Sequence, residues 1–326
     1  MGDLPASRMS TKGLIVVALG GNAISRENEE GNVDQQFANS RATARQLADL
    51  ILDSWRMVVT HGNGPQIGNF LLRNEAAAGQ IYPLPMEVAV AHVQGGMGFM
   101  IGQALNNELH RRGDRRIVTT IVTTVLVDAD DPAFGNPTKP VGRILTRELA
   151  DELARTEGWP MKETAPGKFR RVVASPEPKH IMEINTIRRA VVEGDLLIVC
   201  GGGGIPVLRD PKSGLSGTKA VIDKDFAGAL LACELDANVF LILTAVDRVC
   251  VDFGKPTQRP IERMNLDDAK RWLAEGQFPA GSMGPKIESA VRFVQDSAKP
   301  GAFCVIGPLD RAADAVAGRV GTRITR

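Results

Sequence analysis

The chain has 326 residues, 43% hydrophobic and 24% charged, enough to bury a substantial core in one large domain or two lobes. Its formal net charge is +1, and its aromatics are sparse: three Trp, one Tyr and eleven Phe. That balance argues against a global basic field for a polyanion and against a stacking platform for nucleic acid.

The stretch Met1–Lys12 is polar, lacks the apolar core of a signal peptide, and reads as a loose leader. No later segment reaches the roughly 18 apolar residues of a membrane span, so a cytoplasmic protein without membrane partners is expected. Four cysteines, Cys200, Cys233, Cys250 and Cys304, lie far apart with no zinc-ligand spacing and read as buried thiols. Short apolar runs predict strands over Leu14–Leu19, Met57–Thr60, Ile117–Val127, Leu196–Val199, Val239–Leu243 and Ala302–Ile306. Amphipathic stretches predict helices over Val33–Ser54, Glu87–Arg111, Met182–Val192, Lys224–Leu235 and Pro285–Asp296. Strand–helix alternation with fully apolar strands predicts an α/β sandwich around a mainly parallel sheet. Ligands of such folds sit beyond the carboxyl ends of the strands.

The loops that follow the strands are therefore informative. Strand one ends in Gly20-Gly21-Asn22-Ala23, where two glycines would let backbone N–H groups approach a ligand. Strand two ends in His61-Gly62-Asn63-Gly64-Pro65, and Pro65 suits a first helical turn, so Gly62–Gly64 should form an anion-favouring helix N-terminus. His61 alone reads as structural. Asp128–His180 holds seven of the nineteen prolines with weak periodicity, and reads as an inserted subdomain with a short helix near Thr146–Glu157. Within it, Asn136-Pro137-Thr138-Lys139-Pro140 brackets Lys139 between φ-fixing prolines.

Four consecutive glycines, Gly201–Gly204, imply backbone brought very close to something, but Pro206 rules out a dinucleotide fingerprint. Asp223 is a natural N-cap for the helix that opens with Lys224 and Asp225. Gly284-Pro285-Lys286 marks another helix start. A lysine in a first turn opposes the helix dipole, and two of them after helix-start signals suggest a shared polyanion. Asp225 is placed to orient two lysines or to help position a nucleotide-bound magnesium. There is no GxxxxGK[ST] loop, HRD/DFG set, HExxH or GxSxG. Glycine amides and fixed lysines suffice for phosphoryl transfer, which needs positioning and charge stabilisation more than covalent help.

The ordered set ALGGNA (Ala18–Ala23), HGNGPQIGN (His61–Asn69), NPTKPVG (Asn136–Gly142), CGGGGIPV (Cys200–Val207), VIDKDFA (Val221–Ala227) and GSMGPKIE (Gly281–Glu288) resembles carbamate kinases of the amino acid kinase family. The likeness runs from about Leu14 to Thr325. It implies an open three-layer αβα sandwich with a protruding subdomain at about 128–180. The acceptor would bind over residues 13–195 and the nucleotide over 196–326, in a homodimer. It also implies reversible phosphoryl transfer between ATP and carbamate, giving ADP and carbamoyl phosphate with Mg²⁺ carried by the nucleotide, in arginine or purine breakdown.

Lys139, Lys224 and Lys286 match the family's lysines at the phosphates, and Asp225 the aspartate that organises them. Gly20, Gly21, Asn22, Gly62, Asn63 and Gly64 match its phosphate and carbamate contacts. Gly202, Gly203, Asp223, Thr244, Met283 and Pro285 are expected on the nucleotide side. Carbamate is already an anion and needs no general base, only relief of repulsion as it meets the γ-phosphoryl. Lys168 and Phe169 in PGKFR, and Arg248, depart from the family pattern at the acceptor lid and near the nucleotide base. The rivals are another amino acid kinase acting on a small carboxylate or a nucleoside monophosphate, and a non-catalytic nucleotide-binding protein of the same fold.

Overall fold

Ile15, Val17 and Leu19 face one side of the Gly13–Leu19 strand, Leu14, Val16 and Ala18 the other, and all six are buried. A strand apolar on both faces needs cover on both. It finds that cover inside an eight-stranded sheet, ordered Arg263–Asn265, Thr322–Thr325, Phe303–Pro308, Val239–Thr244, Gly13–Leu19, Trp55–His61, Leu196–Ile198 and Val118–Thr120. Every pairing is parallel except that of Phe303–Pro308 with Thr322–Thr325. The structure, a computed structural model, describes residues 11–26, 29–279 and 281–326, with nothing said of the Asn22 side chain. The expected leader lies outside the described residues as far as Ser10, while the Lys12 amide donates to the Ser54 carbonyl at 3.1 Å.

The helices are α1 (Val33–Leu52), α2 (Gly64–Ala76), α3 (Met86–Arg111), α4 (Arg147–Glu157), α5 (Ile184–Glu193), α6 (Lys224–Glu234), α7 (Leu266–Ala274), α8 (Met283–Asp296) and α9 (Ala312–Val316). Residues of α1, α2, α3 and α9 bury against the Ile15 face of the sheet, and residues of α5, α6, α7 and α8 against the Leu14 face. The result is a three-layer αβα sandwich. Local signals set several boundaries: a capping box of Asn32 and Gln35 opens α1, and left-handed Gly158 and Gly194 close α4 and α5. Among the described residues, no helix is long and apolar enough to cross a membrane.

One expected strand is two. The apolar run Ile117–Val127 divides into Val118–Thr120, at the edge of the large sheet, and Thr124–Val127, in a separate four-stranded sheet. At the break, the Gln94 side chain of α3 brackets Thr123, accepting from its N–H at 3.0 Å and donating to its carbonyl at 3.1 Å. A side-chain amide thus replaces a strand neighbour and satisfies backbone groups that leave the sheet. An apolar run carries no sign of such a switch.

The insertion forms a three-stranded antiparallel sheet of Lys139–Leu145, Lys168–Val173 and Met161–Ala165, with α4 beside it. Leu145, Ala150 and Phe169 make a small core of its own. At the end of the stretch 128–180, Pro178–Ile181 pairs with Thr124–Val127 in the four-stranded sheet. The subdomain rests on α2 where Gly142 (φ 72°) meets Gly68, whose added Cβ would lie 3.6 Å from the Gly142 Cα.

Candidate active site

Parallel strands deliver their following loops to one end of the sheet, and the glycine loops after Leu19, His61 and Ile198 gather there with the start of α6. Asp223 caps α6, one carboxylate oxygen accepting from the Asp225 N–H at 2.9 Å. Its other oxygen accepts from Lys139 Nζ at 2.6 Å, across 84 residues of sequence. Asp225, 3% exposed, takes Lys224 on one oxygen and Lys286 Nζ on the other at 3.0 Å. Two aspartates in one helical turn therefore collect three lysines, from the subdomain, from α6 and from α8. Three cations against two carboxylates leave one net positive charge at the N-terminus of α6, where the dipole adds to it.

Burial lowers the Lys224 pKa, Asp225 opposes that, and Lys286 reinforces it. Burial alone would raise Asp225, but the two adjacent ammonium groups outweigh it and hold the carboxyl below its ordinary range.

The Lys224 side chain lies across Gly62: an added Cβ there would be 3.1 Å from Lys224 Cδ. This contact joins the loop after Trp55–His61 to the lysine cluster. The Gly20 and Gly62 amides themselves are not free for a ligand, contrary to the expectation of exposed glycine N–H groups. They donate to the Leu243 and Leu19 carbonyls at 2.9 and 3.1 Å, because the sheet ladder continues into both loops. Gly21 is exposed, with open space where a side chain would go. Asn63 precedes α2 without capping it through its side chain, and Gly64 opens that helix.

The Gly201–Gly204 turn approaches protein. Added Cβ atoms would reach His61 Nε2 at 2.5 Å from Gly201, Asn63 Nδ2 at 2.0 Å from Gly202, and the Ile222 carbonyl at 2.4 Å from Gly203. Gly202 and Gly203, expected on the nucleotide side, are buried against Asn63 and Ile222. Thr244 ends its strand half-buried, and Met283 and Pro285 lie half-buried in the first turn of α8. Of the departures from the family pattern, Phe169 fills the subdomain core beneath the Arg147 guanidinium, Lys168 is exposed, and Arg248 pairs with Glu262 at 2.9 Å.

His61 is 1% exposed, and burial drives its pKa down to about 4, with the Gly62 carbonyl opposing and Lys224 assisting. Its Nδ1 lies 3.0 Å from the Gly62 carbonyl, which only accepts, so Nδ1 carries the proton and Nε2 the lone pair. The unfolded chain takes up a proton near 6.5 and the folded chain only near 4, so stability falls as pH drops through that window, by about 3 kcal/mol. Denaturant unfolding at pH 7 and pH 4.5 should show this loss, and His61→Gln should flatten it. Equal slopes in the two proteins would refute the assignment.

Gln94 escaped the sequence reading. Its signal was a buried amide on the apolar face of α3, among Val90, Val93 and Met97.

The profile of the amino acid kinase family matches residues 13–304. Carbamate kinase of Thermococcus kodakarensis is 46% identical over 316 residues, 96% of this chain and 99% of that protein. A carbamate kinase-like protein of Escherichia coli is 44% identical, over 95% of this chain and 98% of its own length. The structure of carbamate kinase from Giardia lamblia bound to AMP-PNP superposes with a TM-score of 0.89 at 40% identity, covering 97% of this chain and 99% of that one. With the lysine cluster in the same fold, the chain belongs to the carbamate kinase branch of the amino acid kinase family.

Proposed function

We propose that the protein is an ATP:carbamate phosphotransferase, and that the three lysines gathered by Asp223 and Asp225 carry the reaction. A carbamate oxygen attacks the γ-phosphorus, a new O–P bond forms, and the bond to the β-phosphate oxygen breaks. No proton has to move. Lys224 and Lys286 neutralise charge on the transferring phosphoryl, and Lys139 covers the acceptor side. Gly20, Gly21, Asn22, Gly62, Asn63 and Gly64 form the acceptor wall. Asp223, Thr244, Met283 and Pro285 border the nucleotide half, whereas Gly202 and Gly203 back Asn63 and Ile222. His61, neutral at physiological pH with its Nδ1–H donated to the Gly62 carbonyl, supports the loop and takes no part as a base.

Both oxygens of Asp223 and of Asp225 are already engaged, which suits a magnesium ion held by nucleotide oxygens and water. Bound there, the ion would neutralise phosphate charge. Homodimer formation is proposed through the edge strand Val118–Thr120 and α3, where Phe99 is 59% exposed. A monomer in sedimentation at micromolar concentration would remove that proposal.

The deciding assay is ATP formation from ADP and carbamoyl phosphate, with and without Mg²⁺. ATP is expected only with the metal present. No ATP from carbamoyl phosphate, with turnover of acetylglutamate, aspartate or UMP in the forward direction, would overturn the reading in favour of another amino acid kinase.

A further inference from the structure

A chain of buried hydrogen bonds runs from α3 to the acceptor loop. Gln94 is 2% exposed and holds the Thr123 N–H and carbonyl with its two amide atoms. Thr123, fully buried, donates its hydroxyl to the Ile121 carbonyl at 2.8 Å and accepts from the Cys200 N–H at 3.1 Å. The Cys200 carbonyl accepts from the Thr60 hydroxyl at 2.9 Å.

Cys200 is thus gripped at both backbone groups, and it is left-handed, with φ 52° and ψ 31°. A residue with a Cβ stays in that region only where its surroundings hold it. The conformation aims the glycine turn. Gly201 then rests on the Gln94 stem, its added Cβ 3.3 Å from Gln94 Cγ, and Gly202 presses on the Asn63 amide. Asn63 is 5% exposed, and its Nδ2 has no hydrogen-bond partner among the described residues. A buried donor left unpaired is costly unless a ligand supplies the acceptor.

We infer that Gln94 and Thr123 are positioning residues for the acceptor: through Cys200 and the glycine turn they fix where the Asn63 amide points. The inference rests on the acceptor reading given above. Neither residue touches substrate; they set the wall that does. Any anion recognised by that amide depends on them, whereas the nucleotide does not.

The test is made at Thr123, the residue that links Gln94 to Cys200. Thr123→Val is close to isosteric and deletes the hydroxyl that accepts from the Cys200 N–H and donates to the Ile121 carbonyl, while Thr123→Ser keeps both bonds. In ATP formation from ADP and carbamoyl phosphate, Thr123→Val should raise the KM for carbamoyl phosphate about tenfold or more. The KM for ADP should stay within about twofold, and Thr123→Ser should behave as wild type. Parallel changes in both KM values, no change in either, or a serine variant as impaired as the valine one would overturn the inference.

A crystal structure of Thr123→Val gives a readout free of turnover. Cys200 should leave the left-handed region and Gly202 should move off Asn63, and an unmoved turn would equally overturn the inference. A wild-type protein inactive with carbamoyl phosphate, alongside a displaced turn in the variant, refutes the acceptor assignment and leaves the positioning geometry standing.

Discussion

Replacing Lys286 with Met is expected to lower kcat by about 10²–10³-fold and to change the KM for ADP by no more than about threefold. Methionine keeps an unbranched apolar stem of similar length, so the first turn of α8 should hold its packing. What disappears is the ammonium 3.0 Å from Asp225, in a side chain only 15% exposed. Charge on a phosphoryl group in flight is greatest where it is least shared with bound nucleotide, so the loss falls on turnover more than on affinity. Steady-state kinetics with ADP and carbamoyl phosphate measures the split. Unchanged turnover would remove Lys286 from the mechanism.

Replacing Asp225 with Asn should cost stability as well as activity. The carboxylate holds two ammonium groups inside a site where it is 3% exposed itself, and breaking a buried pair from one side costs about 3–5 kcal/mol. Lys224 and Lys286 would remain as uncompensated neighbours. The pH dependence has a definite sign. Asp225 titrates below the ordinary carboxylate range in the folded chain, so its contribution is complete above that range and is lost as pH falls through the lowered value. Chemical denaturation at pH 7 should show the deficit, and added phosphate should recover more stability in the variant than in wild type, because an anion can stand in for the missing carboxylate. Equal stability of the two proteins would mean that the lysines are held apart by other means.

The layers of the fold were legible because both faces of its strands are apolar: Leu14–Leu19 and Val239–Leu243 can only be interior strands between helices. Asp223 was legible as a cap because its residue type and its place before an apolar helix define the role locally. The lysine cluster was half legible. Lys224 and Lys286 stood out as cations at helix starts, but Lys139 reaches Asp223 only through tertiary folding. Periodicity failed at Thr123, where a glutamine on another helix ends a strand that the local sequence would continue. It failed also for the four glycines, since the same absence of Cβ serves a ligand or a neighbouring side chain, and here His61 and Asn63 fill the space.

The pairing of each lysine with an aspartate has a consequence for how the site meets its substrates. None of the three ammonium groups waits bare: Lys139 leans on Asp223, and Lys224 and Lys286 lean on Asp225. The protein carries its own resident counter-anions, so an incoming phosphate trades places with a carboxylate more than it discharges chloride from bulk solution. Because buried pairs are screened far less than exposed ones, affinity should respond to ionic strength less steeply than three exposed lysines would dictate. The same arrangement spares the cleft from three like charges repelling one another.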